Sequence, residues 1–119
     1  MNVPKTVLVI LGLFGVQLSA FPSESADDYD ELWVLIEINT YFRTQNDLRL
    51  VDVITEVVEE NGLGKLDGHS SGDNQFDFNF IDVTNFRETK AVIEKKLKES
   101  YPQLKFRISK EYETSYENP

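Results

Sequence analysis

Between Gln75 and Val83 the chain reads QFDFNFIDV, and Phe76, Phe78 and Phe80 alternate with Gln75, Asp77 and Asn79. A repeat of two is that of a strand with one face buried and the other turned to water or a partner. Three phenylalanines on one side therefore predict a core beneath it. Upstream, Leu32 to Phe42 (LWVLIEINTYF) is rich in β-branched and aromatic residues. This composition predicts a strand in the middle of a sheet, with Val34, Ile36, Ile38 and Phe42 on one face and Trp33, Leu35, Glu37, Asn39 and Tyr41 on the other.

The period changes after a polar turn at residues 43–47. Leu50, Val51, Ile54, Val57 and Val58 recur at spacings of three and four, with Asp52, Glu56, Glu59 and Glu60 opposite, which predicts an amphipathic helix from Leu48 to Glu60. Asn46 or Asp47 can cap its start, and Asn61-Gly62 can end it. A short strand is expected over Gly64 to His69, joined by the loop SSGDN to the strand at Gln75 as a hairpin. A second helix starts at Thr84 or Asn85, where Asn85 and Glu88 have capping-box spacing, and ends before Pro102. Its inner stripe is Phe86, Val92, Ile93, Leu97 and Tyr101. Leu104, Phe106 and Ile108 then alternate with Lys105, Arg107 and Ser109 as a fourth strand, and the tail from Glu111 to Pro119 reads as frayed or weakly docked.

The order βαββαβ predicts the α+β, ferredoxin-like arrangement over residues 32–110. Right-handed crossovers put both helices on one face of a four-stranded antiparallel sheet, with strands in the order fourth, first, third, second. The other face is then open. Its expected occupants include Trp33, Glu37, Asn39, Tyr41, Asp77, Asn79, Lys105 and Arg107, which form the candidate binding site. A solvated face with cross-strand charge pairs is the alternative. Trp33 and Tyr41 favour a partner surface, because large amphipathic rings are enriched at interfaces.

Composition changes the picture in three ways. Residues 1–20 carry a single charge, Lys5, before the apolar run VLVILGLFGV, which is the layout of a signal peptide cleaved after Ala20. An uncleaved anchor stays open because Leu18 is larger than the small residue usual at that place. An acidic, flexible leader, residues 21–31, follows. Cysteine is absent, which removes thiolate metal sites, cysteine nucleophiles and the disulfide-stapled secreted classes. Lys5 is one of the 12 basic residues, so the formal charge of −9 becomes −10 once the leader is lost, and nucleic acid and anionic membranes are repelled.

Chemistry is sparse. His69 is the lone histidine, and the serines beside it in a turn cannot fold back onto its ring as a catalytic triad requires. The stretch DGHSSGDNQFDF echoes a calcium loop but ends on Phe78 where a bidentate glutamate belongs. No catalytic residue, metal site or cofactor is assigned. The segment GKLDGHSSGDNQFDFNFIDV, with the helix after it, resembles a hairpin of small uncharacterised ferredoxin-like α+β proteins that carry Asp-Gly-His, a glycine a few residues on, and an alternating aromatic strand. The resemblance implies a fold and brings no activity with it.

The expectation is therefore a secreted, non-enzymatic binding domain that takes a protein or peptide partner through the open sheet face or the hairpin edge. One alternative is an acidic extracellular-matrix or mineral-associated protein that collects calcium weakly. Another is a protease-inhibitor or prodomain-like module. Neither nucleic acid nor, after cleavage of the leader, membrane is an expected partner.

Overall fold

The structure, a computed structural model, describes residues 30–116. The leader at residues 1–20, most of the acidic segment after it and the last three residues lie outside that range. The elements run β1 (Asp30–Glu37), α1 (Thr40–Arg43), α2 (Asp47–Glu60), β2 (Lys65–Ser71), β3 (Gln75–Val83), α3 (Phe86–Ser100) and β4 (Phe106–Ser109). Together they form an α+β fold of three helices and one four-stranded sheet. All strand pairs are antiparallel, in the order β2-β3-β1-β4, which counted from the opposite edge is fourth, first, third, second.

The core lies between the sheet and the two long helices. Leu32, Val34 and Ile36 from β1 and Phe76, Phe78 and Phe80 from β3 meet Leu50, Val51, Ile54 and Val58 from α2 and Ile93 and Leu97 from α3. Register explains the match, since Val34 pairs with Phe78 and Leu32 with Phe80, so the inward residues of both central strands stack in rows. The helices begin where the sequence offers caps. Asn46 Oδ1 accepts from Arg49 N at 3.0 Å, and Asn85 Oδ1 accepts from Glu88 N at 3.0 Å. At the end of α2, Gly62 takes a φ of +65°, and Leu63 N donates to Val58 O while Gly62 N donates to Glu59 O. The pair of bonds is a Schellman closure, and Leu63 is buried in the core beside it, an apolar contact that often accompanies this motif.

The first strand is shorter than its composition predicts and begins earlier. Asp30, expected in a flexible leader, pairs with Val83, and the strand stops at Glu37 instead of reaching Phe42. Asn39 causes the break: its side chain accepts from Phe42 N at 2.9 Å and starts the single turn α1. Local capping thus overrides the strand propensity of Thr40, Tyr41 and Phe42. Phe42 still reaches the core, with its ring centroid 5.4 Å from that of Phe76.

Two bulges break the alternation. Between Leu66 and Gly68 the pairing with β3 shifts by one, so that Gly68 and Ser70 share a face with Asn79 and Asp77, and His69 pairs with Phe78. Near the end of β3, Asp82 takes a φ of 56°, and the register with β1 slips between Asp30 and Leu32. The extra residue turns Val83, which strict alternation would point away from the helices, into the core.

Candidate functional site

The face opposite the helices is built on the odd-numbered residues of β1 and β3. Trp33 pairs with Asn79, Leu35 with Asp77 and Glu37 with Gln75. On the far side of β1, Leu35 pairs with Arg107 and Trp33 with Ser109. Leu35 is fully buried yet is not in the helix-side cluster, so it gives this face an apolar floor.

Polar residues of β3 are also buried here: Gln75 is 1%, Asp77 4% and Asn79 5% exposed. Buried polar groups need partners, and these have them. Ser70 Oγ donates to Asp77 Oδ1 at 2.9 Å, and Gln75 Nε2 donates to Asp77 Oδ2 at 3.1 Å. Asn79 Nδ2 donates to Asp67 Oδ2 at 3.2 Å. The bulge in β2 makes the first of these contacts, because it brings Ser70 opposite Asp77.

The rest of the cover comes from the tail, which docks as far as Tyr116 rather than fraying. Gln75 Nε2 donates to the carbonyl of Glu113 at 2.9 Å, and Tyr116 N donates to Gln75 Oε1 at 3.1 Å. Glu113 itself is held by Ser109 Oγ, which donates to its Oε2 at 3.0 Å, and by Arg107 Nη2, 3.4 Å from its Oε1. The Tyr112 ring stands edge-on to Trp33, with centroids 5.2 Å apart at 71°. The Trp33 indole N–H donates to Glu31 Oε1 at 3.0 Å. Burial raises the Tyr116 phenol above its ordinary 10.0, with the Glu37 carboxylate adding to the rise and Arg107 opposing it.

Of the eight candidate residues, Trp33, Glu37, Asp77, Asn79 and Arg107 share this face, and Lys105 joins at its rim, where its Nζ is 3.7 Å from Glu37 Oε1. Asn39 and Tyr41 do not. Both follow the end of β1: Asn39 is the cap of α1, and Tyr41 packs against the helix-side core. Leu35 belongs to the face as the alternation along β1 predicts, and Gln75, Ser70 and Ser109 join it, although none of the four is among the candidate binding residues. The alternation that marked Asp77 and Asn79 also marks Gln75, whereas no periodic signal places Tyr112, Glu113 or Tyr116.

Beside the docked tail the face keeps a hollow of about 170 Å³, lined by Trp33, Gly68, His69, Ser70, Asp77 and Asn79. His69 stacks near Phe76, with ring centroids 6.1 Å apart, and Ser70 is engaged by Asp77, so the two do not form a nucleophile and base. Among the described residues no group of three or more His, Asp or Glu is placed to hold a metal ion. The arrangement can grip main-chain amide groups, a carboxylate and an aromatic ring at once. Comparison with known proteins finds no matching family model, no matching curated protein and no matching solved structure.

Proposed function

We propose that the protein is an exported, non-enzymatic binding domain of the ferredoxin-like class, which takes a protein or peptide partner on the sheet face opposite its helices. One observation carries this reading: the buried carboxamide of Gln75 engages a carbonyl and an N–H of a peptide segment lying on that face. Main-chain recognition by a buried, preorganised amide, with Trp33 and Arg107 to read side chains, is the chemistry of a peptide-binding surface. The ferredoxin-like class is supported by the order of the long helices and strands and by their sequence in the sheet, with α1 as an added turn. Export rests on the apolar run from Val7 to Val16 and the residues after it.

The hairpin edge is less well suited. Glu59 Oε2 accepts from Leu66 N at 3.1 Å, so a side chain already covers part of the β2 edge that an added strand would need. Panning a displayed library of random peptides against the protein tests the face. Peptides that bind are expected to lose binding to the Trp33→Ala and Arg107→Ala variants. Equal binding to the parent and to both variants would remove the face from the proposal. For export, the protein recovered from culture medium is expected to begin at Phe21, and a chain that stays in cells with Met1 at its end would count against it.

A further inference from the structure

The segment on the face is part of the chain itself, and its contacts describe the ligand that the face selects. We infer that the face takes, in trans, an acidic peptide of the pattern Tyr-Glu-x-x-Tyr, and that Tyr112–Tyr116 is a competitor for it held in cis. The inference rests on the binding reading above and names its partner class.

The Glu113 carbonyl and the Tyr116 N–H, three residues apart, are both bonded to the Gln75 carboxamide, at 2.9 Å and 3.1 Å. Gln75 therefore clasps this segment by its main chain, and Ser115 Oγ donates to Glu113 Oε1 at 3.2 Å within it. Selectivity comes from the flanks. Arg107 and Ser109 converge on the carboxylate of Glu113, and Trp33 meets the ring of Tyr112 just before it. On top of burial, the charges of Glu37 and Arg107 act on the phenol of Tyr116 in opposite senses, the first raising its pKa and the second lowering it.

The tail is built to leave. No residue of 111–116 belongs to the helix-side hydrophobic core or is among the hydrophobics packed against it, and Tyr112 is 50% exposed. What holds the tail is a set of hydrogen bonds and an ion pair, two of the bonds to the buried Gln75, together with the edge-on contact of Tyr112 with Trp33. Its departure opens the Gln75 carboxamide, kept in place by its bond to Asp77, to water and to any peptide that repeats the same contacts.

The test uses the purified protein with Tyr112→Ala, Glu113→Ala and Tyr116→Ala, and a labelled peptide of sequence EYETSY read by fluorescence anisotropy. The variant is expected to bind the peptide saturably. The unmodified protein is expected to bind it at least about ten-fold more weakly, because its own tail competes at high effective concentration. Adding Gln75→Ala to the variant is expected to abolish binding. A folded variant that ignores the peptide, or binds a scrambled peptide equally well, overturns the inference, as does tail exchange into dimers without any uptake of free peptide. If the triple variant fails to fold, Tyr116→Ala alone replaces it, with the same two outcomes. Library peptides that use the face but lack the Tyr-Glu-x-x-Tyr pattern and are not displaced by EYETSY would overturn this inference while leaving the binding function in place.

Discussion

Gln75 and Tyr116, 41 residues apart in the chain, are joined by a hydrogen bond of 3.1 Å from the tyrosine N–H to the glutamine Oε1. The nitrogen at the other end of that carboxamide serves Glu113 and Asp77 together. One side chain thus links the tail and the buried carboxylate of the sheet. Gln75→Ala is expected to release the tail and to cost about 1–3 kcal/mol, the usual range when buried polar partners are orphaned. Gln75→Glu is expected to be worse at neutral pH. It keeps an acceptor for Tyr116 but sets a second carboxylate against Asp77, and its deficit should shrink as the pH falls toward about 4. Chemical denaturation followed by Trp33 fluorescence measures both. A glutamate variant as stable as the alanine variant at pH 7 would contradict the contact with Asp77.

Tyr116 makes the docked tail sensitive to alkali. Its phenol is raised above the ordinary 10.0 by burial first and by Glu37 second, so the folded state favours the neutral ring. For a group whose folded value is raised, the stabilisation is complete below the unfolded value and is lost as the pH climbs through the folded one. Tail docking should therefore be constant up to about pH 9 and weaken from about pH 10 upward. Tyr116→Phe keeps the ring and has no proton to lose. Limited proteolysis of the tail across that range is expected to accelerate in the parent more than in the phenylalanine variant, and equal acceleration would assign the loss to other groups.

Much of the fold was legible because the core is periodic. Phe76, Phe78 and Phe80 on β3, the three-and-four spacing of Leu50, Ile54 and Val58, and the caps Asn46 and Asn85 each carry a local signal, and the structure agrees with them. The first strand was read too long because Thr40, Tyr41 and Phe42 carry strand propensity and a four-residue helix has no period to announce the cap at Asn39, which shows only in its bond to Phe42 N. Asn39 and Tyr41 left the candidate face for that reason. The bulges were illegible for a related one: nothing in the string KLDGHSS says which residue is the extra one. The tail was missed because its contacts are between single side chains and main-chain groups far apart in sequence, and these leave no period to detect.

The two glycines flanking the β2 bulge answer to different constraints. A Cβ on Gly64 would lie 3.0 Å from Val83 Cγ2 and 3.3 Å from the Ile81 carbonyl, with Val58 Cγ1 at 3.6 Å. The carbonyl belongs to a paired strand and cannot give way easily, so Gly64→Ala is expected to cost about 1–3 kcal/mol by overpacking. Around Gly68 nothing lies within 4 Å of the same position. Gly68→Ala should be neutral or stabilise by up to about 1 kcal/mol, because alanine restricts the unfolded chain more than glycine. Thermal unfolding of the pair tests the contrast, and a Gly68 variant as unstable as the Gly64 variant would reject it.

Val83 crowds Gly64 only because Asp82 turns the strand. With a φ of 56°, Asp82 occupies the left-handed region that asparagine and aspartate tolerate and β-branched residues do not. Its side chain is exposed, so a substitution there reports on backbone shape rather than on lost contacts. Asp82→Val is expected to cost about 1–2 kcal/mol relative to Asp82→Gly. The valine variant has a second way out: it can straighten the strand, which returns Val83 to the sheet's other face and leaves the core beside Val58 underfilled. Amide hydrogen exchange separates the two outcomes. Strain held in place lowers protection across the whole domain, whereas a lost bulge lowers it first where Asp30 pairs with Val83, at the start of β1. Equal stability of the valine and glycine variants would mean that the left-handed turn at Asp82 is not what sets Val83 into the core.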